Sequence, residues 1–138
     1  MADLSITATE VLAGAGADTE NGIAGEALTA GQVVYKLSTD KKFYKADCDS
    51  AGKTSVYGIA LNGAAAGQPV SVQKSGSITI GATAAPTVGE IYVLSGTAGG
   101  IAPEADLASG DTVSILGVGE SASSIQLRIN NTGVVVPA

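Results

Sequence analysis

Residues 57–73 read YGIALNGAAAGQPVSVQ, and this stretch decides the fold class. Tyr57–Leu61 is a short apolar strand, and Val70–Gln73 alternates apolar and polar residues as a half-buried strand does. Small residues and glycines connect the two segments. Pro69 donates no backbone hydrogen bond, so it belongs at the entrance of a strand. The stretch therefore predicts strand, turn and strand, with no catalytic group.

The segments on either side continue the pattern. In Gln32–Ser38, alternate residues are apolar, which predicts a strand that turns through Lys41 and Lys42 into a second strand at Phe43–Ala46. Downstream, Gly76–Gly81 predicts a further alternating strand, bracketed by glycines. Only Pro103–Ala108 suggests a helical turn.

The second half of the chain resembles the first. Tyr35 is followed 57 residues later by Tyr92, and Gly58 is followed 59 residues later by Gly117. Two copies with so long a period favour a duplicated half-barrel or half-sandwich over a solenoid. Val, Ile, Thr and 19 glycines dominate over aromatic residues, which also favours strands and turns. We predict an all-β, small β-barrel-like or sandwich-like domain with two similar halves and little helix.

One domain suits 138 residues. We divide the chain into an N-terminal arm, residues 1–21, and a single β-domain, residues 22–138. Strand periodicity fades before Gly22, so we expect the core to be complete without the arm. The arm is either partly pinned on the body of the protein or a docking segment that becomes ordered on a partner. Ile6, Val11 and Leu12 are the apolar positions that docking needs.

The charge limits the partners. A net charge of −6 with seven basic residues argues against nucleic-acid binding, which requires a basic surface. No apolar run reaches the ~20 residues of a membrane span, and the first residues lack the features of a signal peptide. We expect a soluble protein made in a cytoplasm, with no membrane partner.

Residues suited to catalysis are scarce. The chain has no His, so His-dependent nucleophilic systems are excluded within it. Cys48 lies between Asp47 and Asp49, which disfavour its thiolate. Gly52-Lys53-Thr54 lacks the first glycine of a phosphate-binding loop, and Gly119–Ser123 lacks the last glycine of a nucleophile elbow. We interpret both as turns and expect no catalytic residues.

The acidic residues give no metal site by spacing. Asp18–Gly22 begins like a calcium loop, but the position of its bidentate acid is Thr29, so we interpret the segment as a turn. Asp47 with Asp49, and Asp106 with Asp111, are the conceivable acid pairs. We predict no metal and no cofactor.

Five of the six lysines fall between Lys36 and Lys53. Such a hairpin is usually a sheet edge protected against aggregation. The alternative is that this basic hairpin, with Lys41 and Lys42 at its tip, meets an acidic surface on a neighbouring subunit.

Several segments together resemble a known family, over roughly residues 22 to 130. They are similar to the tailed-phage capsid decoration, or cement, proteins of the DUF2190 type. The segments are 22–35 (GIAGEALTAGQVVY), 58–70 (GIALNGAAAGQPV), 99–103 (GGIAP) and 116–118 (LGV).

The resemblance implies a small β-barrel-like structural protein, commonly a homotrimer. Such a protein binds the major capsid protein on the outer surface of the virion and stabilises the shell across the joints between capsomers. The candidate capsid contacts are Ile6, Val11, Leu12, Lys41 and Lys42.

Two other functions stay open. A phage fibre or tail-associated adhesin would use the same kind of barrel to bind host glycans, with Tyr35, Tyr44, Tyr57 and Tyr92 as stacking residues. A small hydrolase would use a carboxylate pair, in which Asp47 is the residue to test.

Overall fold

The computed structural model describes residues 3–137. Within them the chain is almost entirely β, which confirms the predicted fold class, and the helical elements are two 3-10 turns of three residues each, at Ala8–Glu10 and Glu104–Asp106. The strands are β1 (Leu12–Ala13), β2 (Asp18–Ile23), β3 (Val33–Lys36), β4 (Phe43–Lys45), β5 (Gly58–Ala60), β6 (Pro69–Thr79), β7 (Ile91–Leu94), β8 (Ile101–Pro103), β9 (Thr112–Gly119) and β10 (Ser124–Val135).

All ten strands belong to one curled, barrel-like antiparallel sheet. Its order is β4-β3-β5-β6-β10-β9-β7-β8, and β1 and β2 also pair with β6. The long strand β6 is therefore central, since it pairs with four others. An isolated bridge between Ala24 and Phe43 brings the chain after β2 to the edge of β4.

Strand β6 joins two segments that the sequence predicts as separate strands. Gly76 follows Lys74-Ser75 with a φ of +93°, and the pairing with β2 shifts register between Asp18 and Thr19. The predicted break is a β-bulge inside a continuous strand. The side chain of Gln73 is fully buried and donates hydrogen bonds to the carbonyl oxygens of Ser75 and Ser77, at 3.0 and 2.8 Å. These bonds hold the bulge.

The bulge divides the apolar interior into two cores. The main core contains Ile78 and Ile80 from the second part of β6, whereas Val70 and Val72 from its first part lie in a second core. The main core includes Val11, Val33, Tyr35, Ile59, Tyr92, Leu94, Ile101, Leu116, Ile125 and Leu127. The second core includes Ala24, Leu28, Val34, Phe43, Ala60 and Ala64, with Tyr57 packed against it.

Asn131 links the end of β10 to the segment before β5. Its side-chain amide accepts a hydrogen bond from the Val56 N–H at 2.8 Å and donates one to the Val56 carbonyl at 3.0 Å. This pair of bonds reproduces the exchange made by a backbone in a β-ladder. It connects two parts of the curled sheet that no strand pair joins.

The two halves share their order of pairing. β4-β3-β5-β6 recurs as β8-β7-β9-β10, and Val34 pairs with Gly58 as Tyr92 pairs with Gly117. This register makes Tyr92 correspond to Val34, one residue before the predicted Tyr35. The directions of the side chains disagree with it, because Val34 faces the second core and Tyr92 the main core. Pairing order alone does not establish a duplication, which stays a prediction.

The segment before residue 22 is built into the sheet. β2 runs across the predicted boundary, from Asp18 opposite Ser75 to Ile23 opposite Pro69. β1 pairs with the other end of β6. Residues 11–23 therefore pack as part of the sheet. We predicted that the core is complete without residues 1–21, but with Val11 in the main core we now expect their removal to destabilise the fold.

Candidate functional site

The tip of the β3–β4 hairpin is exposed, and side-chain hydrogen bonds and ring stacking hold its conformation. The Asp40 carboxylate accepts hydrogen bonds from the Lys42 N–H at 2.9 Å and from the Tyr44 hydroxyl at 2.6 Å. The hydrogen bond from Tyr44, and to a lesser extent that from Lys42, holds the pKa of Asp40 below its usual value. The ring of Tyr44 stacks on Tyr35, with 5.8 Å between centroids, which ties the tip to the main core.

Lys41 is the most prominent residue of this tip. It is exposed and adopts the left-handed conformation, with a φ of 60°, which is uncommon for a residue with a side chain. Lys42 is half-buried. The predicted basic tip therefore exists, with one exposed lysine in a constrained turn.

The three apolar candidates before β2 have different surroundings. Val11 is 5% exposed and belongs to the main core, while its neighbour Leu12 is 63% exposed. Ile6 is half-buried and packs on the main core. Val11 is thus a core residue, and the prediction that it is a docking anchor is wrong. Leu12 is the apolar side chain of the three that projects into solvent.

A polar cluster that sequence reasoning missed lies at the margin of the second core. It consists of Glu20, Lys36, Tyr57 and Lys74. The Glu20 carboxylate accepts hydrogen bonds from the Lys36 ammonium at 2.9 Å and the Tyr57 hydroxyl at 2.7 Å, and the Lys74 ammonium lies 3.5 Å away. Glu20 pairs with Val72 on β6, so its side chain shares a sheet face with the second core.

The Glu20 carboxylate is the anionic centre of the polar cluster. The hydrogen bonds from Lys36 and Tyr57 lower the pKa of Glu20 to about 2. The Lys36 ammonium also lies 5.2 Å from the centroid of the Tyr57 ring, within cation–π range. Lys36 pairs with Glu20, and Lys74 also lies 3.7 Å from the Asp18 carboxylate, so each ammonium has a carboxylate partner. We therefore assign the polar cluster to stability.

The loops that carry the predicted acid pairs meet at an open pocket, apart from the polar cluster. Asp49, Gly96, Thr97, Ala108 and Asp111 line an open pocket of about 250 Å³. The structure thus brings together one acid from each of the two predicted pairs. Asp111 is 6% exposed and accepts a hydrogen bond from the Ala108 N–H at 2.9 Å, so it holds a turn.

Cys48 is buried and lies close enough to Asp111 of this pocket to interact with its charge. Burial, followed by the charge of Asp111, raises the pKa of its thiol to about 12. Asp49 donates its N–H to the Asp47 carboxylate at 3.2 Å, and a hydrogen bond with Asp47 raises the pKa of the Asp49 carboxyl. A protonated, buried thiol beside acids is a poor nucleophile.

The sequence motifs occupy ordinary positions. Gly52-Lys53-Thr54 lies in a turn in which Lys53 donates its N–H to Ser50 and accepts one from Asp47. The end of Gly119–Ser123 is the turn between β9 and β10. Asp18–Gly22 lies in β2, so the prediction of a turn there is wrong. Across residues 3–137, no three acidic or cysteine side chains converge as metal ligands would.

The four tyrosines are used inside the protein. Tyr35 and Tyr92 are buried, at 9% and 3% exposure. Tyr44 and Tyr57 direct their hydroxyls to Asp40 and Glu20. Tyr35, Tyr44 and Tyr92 lie in or against the main core and Tyr57 lies against the second core, so the four rings form no shared exposed platform.

No helix in the described part of the chain is long and apolar enough to cross a membrane. Neither the known family models nor the curated proteins contain a match to this sequence.

Proposed function

We propose that the protein is a structural decoration, or cement, protein of a tailed-phage head. It binds the major capsid protein on the outer surface of the virion as a homotrimer and stabilises the joints between capsomers. The proposal includes no catalytic role, no cofactor and no nucleic-acid or membrane partner.

The hairpin tip carries the proposal. A constrained turn presents Lys41, and a hydrogen-bonded carboxylate and a stacked ring pair hold that turn on the main core. Such pre-organisation reduces the entropy lost on binding, because the contact residue is already in place. The surrounding molecule carries a net charge of −6, so a basic tip selects an acidic patch on its target. The sequence resemblance supplies the identity of that target.

The architecture supports the same role. Two apolar cores share the central strand β6, and hydrogen bonds from Gln73 and Asn131 support the curled sheet at its irregular points. A clip between capsomers has to resist deformation, and modest contacts suffice when three copies are linked.

The proposal is tested by incubating the purified protein with undecorated heads and pelleting them. We expect the protein to pellet with the heads. The variant Lys41→Glu should bind about tenfold more weakly or worse, because the charge at the tip is reversed.

Lys53→Glu is the matched control, since Lys53 is also exposed but lies in another loop. It should bind as the unmodified protein does. Equal weakening by both substitutions would make the tip irrelevant, and failure of the unmodified protein to pellet would remove the proposed function.

A further inference from the structure

The segment before β1 lies along the free edge of β8. We call residues 3–10 the N-terminal strap. The Leu4 N–H donates a hydrogen bond to the Ile101 carbonyl at 2.8 Å, and the Asp3 carboxylate accepts one from the Ser95 hydroxyl at 2.6 Å. These two bonds place the strap beside the outermost strand of the second half.

The strap fits its groove by shape as well as by hydrogen bonds. Gly31 has a φ of +94°, and a Cβ built on it would lie 2.5 Å from the Ile6 side chain. The absence of that Cβ lets Ile6 approach the backbone. Beside the strap an open cleft of about 180 Å³ remains, lined by Leu4, Ile6, residues 29–32 and residues 98–101. The groove therefore specifies its occupant: an extended segment with a carboxylate and a branched apolar residue three positions later.

The residue that joins the strap to the sheet has a carboxylate in an unfavourable environment. Glu10 is the last residue of the 3-10 turn before Val11, and its Oε1 atom is buried without a hydrogen-bond partner among the described residues. The carboxylate packs against Gly81, where a Cβ would lie 2.7 Å from that atom. A buried carboxylate oxygen without a partner is costly. Within one chain, therefore, the strap fits its groove, but its connection to β1 leaves the Glu10 carboxylate oxygen without a hydrogen bond.

We propose that copies of this protein exchange their N-terminal straps, so that residues 3–6 of one copy fill the groove along β8 of the next. This inference rests on the homotrimer of the proposed function. Exchange of an identical element retains every strap contact. It also lets residues 7–10 extend between the copies and returns the Glu10 carboxylate to water.

The geometry of the chain permits a short crossing. Val11 is fixed in the main core and β1 is paired with β6, so the connection consists of residues 7–10. Fully extended, four residues span at most about 14 Å. The straps can therefore reach a neighbour whose β8 groove lies close to the start of β1. Head-to-tail exchange of this kind closes a ring when the rotation between copies is cyclic.

The test uses two variants that each add one cysteine to the chain, Ser5→Cys and Ala98→Cys, produced together in one cell. Both positions are exposed, and Ala98 lines the cleft beside the strap. A short bismaleimide is added to the folded protein, and the products are separated on a denaturing gel. Because each chain carries one of the two substitutions, a Ser5-to-Ala98 link has to join different chains. Cys48 reacts little, since it is buried with a pKa of about 12.

We expect a covalent dimer that mass spectrometry maps to positions 5 and 98. The matched control pairs Ser5→Cys with Thr19→Cys, an exposed position on β2 outside the cleft, and should give at least tenfold less dimer. The double variant Ser5→Cys/Ala98→Cys detects a strap that stays within its own chain, because the crosslink then gives an adduct of monomer mass.

The outcomes separate this inference from the proposed function. An oligomer by light scattering, with links within single chains alone, overturns strap exchange and leaves the trimer standing. A monomer overturns both strap exchange and the trimer, whereas head binding is judged by the pelleting experiment.

Discussion

Val11 and Leu12 are neighbours with opposite surroundings, and a pair of alanine substitutions separates their roles. Val11 is 5% exposed in the main core, and Leu12 is 63% exposed on β1. Val11→Ala removes two buried carbon atoms. At about 0.8 kcal/mol for each buried methylene equivalent, and with a contribution from the cavity left behind, the free energy of unfolding should fall by about 2 kcal/mol.

Leu12→Ala removes more side chain but from an exposed site, so its free energy of unfolding should stay within about 0.5 kcal/mol of the original. Urea denaturation followed by circular dichroism measures both changes, since the chain has no Trp. The slope of free energy against urea should be the same for all three proteins, because the surface exposed on unfolding hardly changes. The midpoint for Val11→Ala should therefore move to lower urea.

Equal midpoints for the two variants would refute the placement of Val11 in the core and restore the idea of a detached arm. Pelleting with undecorated heads then tests whether Leu12 contributes to capsid binding. If Leu12 contacts the capsid, Leu12→Ala weakens binding while the fold remains stable. If binding is unchanged, the docking surface lies elsewhere, and the hairpin tip is the remaining candidate.

Three further predictions follow from the same structure. Deleting residues 1–21 should lower the melting temperature strongly, whereas deleting residues 1–10 should lower it much less, because only the longer deletion removes β1 and most of β2; equal melting temperatures would contradict this. Glu20→Gln should lower the free energy of unfolding at pH 7, measured by urea denaturation, by less than about 1 kcal/mol. Its folded pKa of about 2 lies below the usual 4.5, so the contribution is present above pH 4.5 and lost as the pH falls towards 2, where both proteins should unfold alike. Gly117→Ala should cost about 2 kcal/mol or more, since its Cβ would lie 2.1 Å from the Gln126 carbonyl oxygen; Gly63→Ala, whose Cβ meets nothing closer than 3.7 Å, should be close to neutral in the same denaturation assay.

Local patterns predicted the strands whose two faces differ. Val33 and Tyr35 lie in the main core, and so do Ile125 and Leu127 of β10, as their alternation indicates. The β3–β4 hairpin was predictable because a charged turn separates two apolar segments. In these cases each residue's environment follows from its immediate neighbours, so the sequence contains the information.

Strand β2 could not be predicted in that way. Its residues, DTENGI, lack an apolar alternation because the face that carries Glu20 and Gly22 meets the polar cluster and the ring of Phe43 at the margin of the second core. A Cβ at Gly22 would lie 2.4 Å from that ring, so a glycine that looks like a turn is required by packing. Lys36 and Glu20 are 16 residues apart, and no local signal connects them.

The bulge in β6 explains both the error about this strand and the importance of residues 57–73. Lys74-Ser75-Gly76 has the composition of a turn, but here a bulge uses the same residue types to rotate the strand. Before the bulge, Val70 and Val72 face the second core; after it, Ile78 faces the main core. A strand without the bulge would keep one face inward along its whole length and leave one of the two cores open. Because β3 pairs with β5, and β5 pairs with β6 just before this point, hydrogen-bonded strands connect the β3–β4 hairpin to the strand that both cores share.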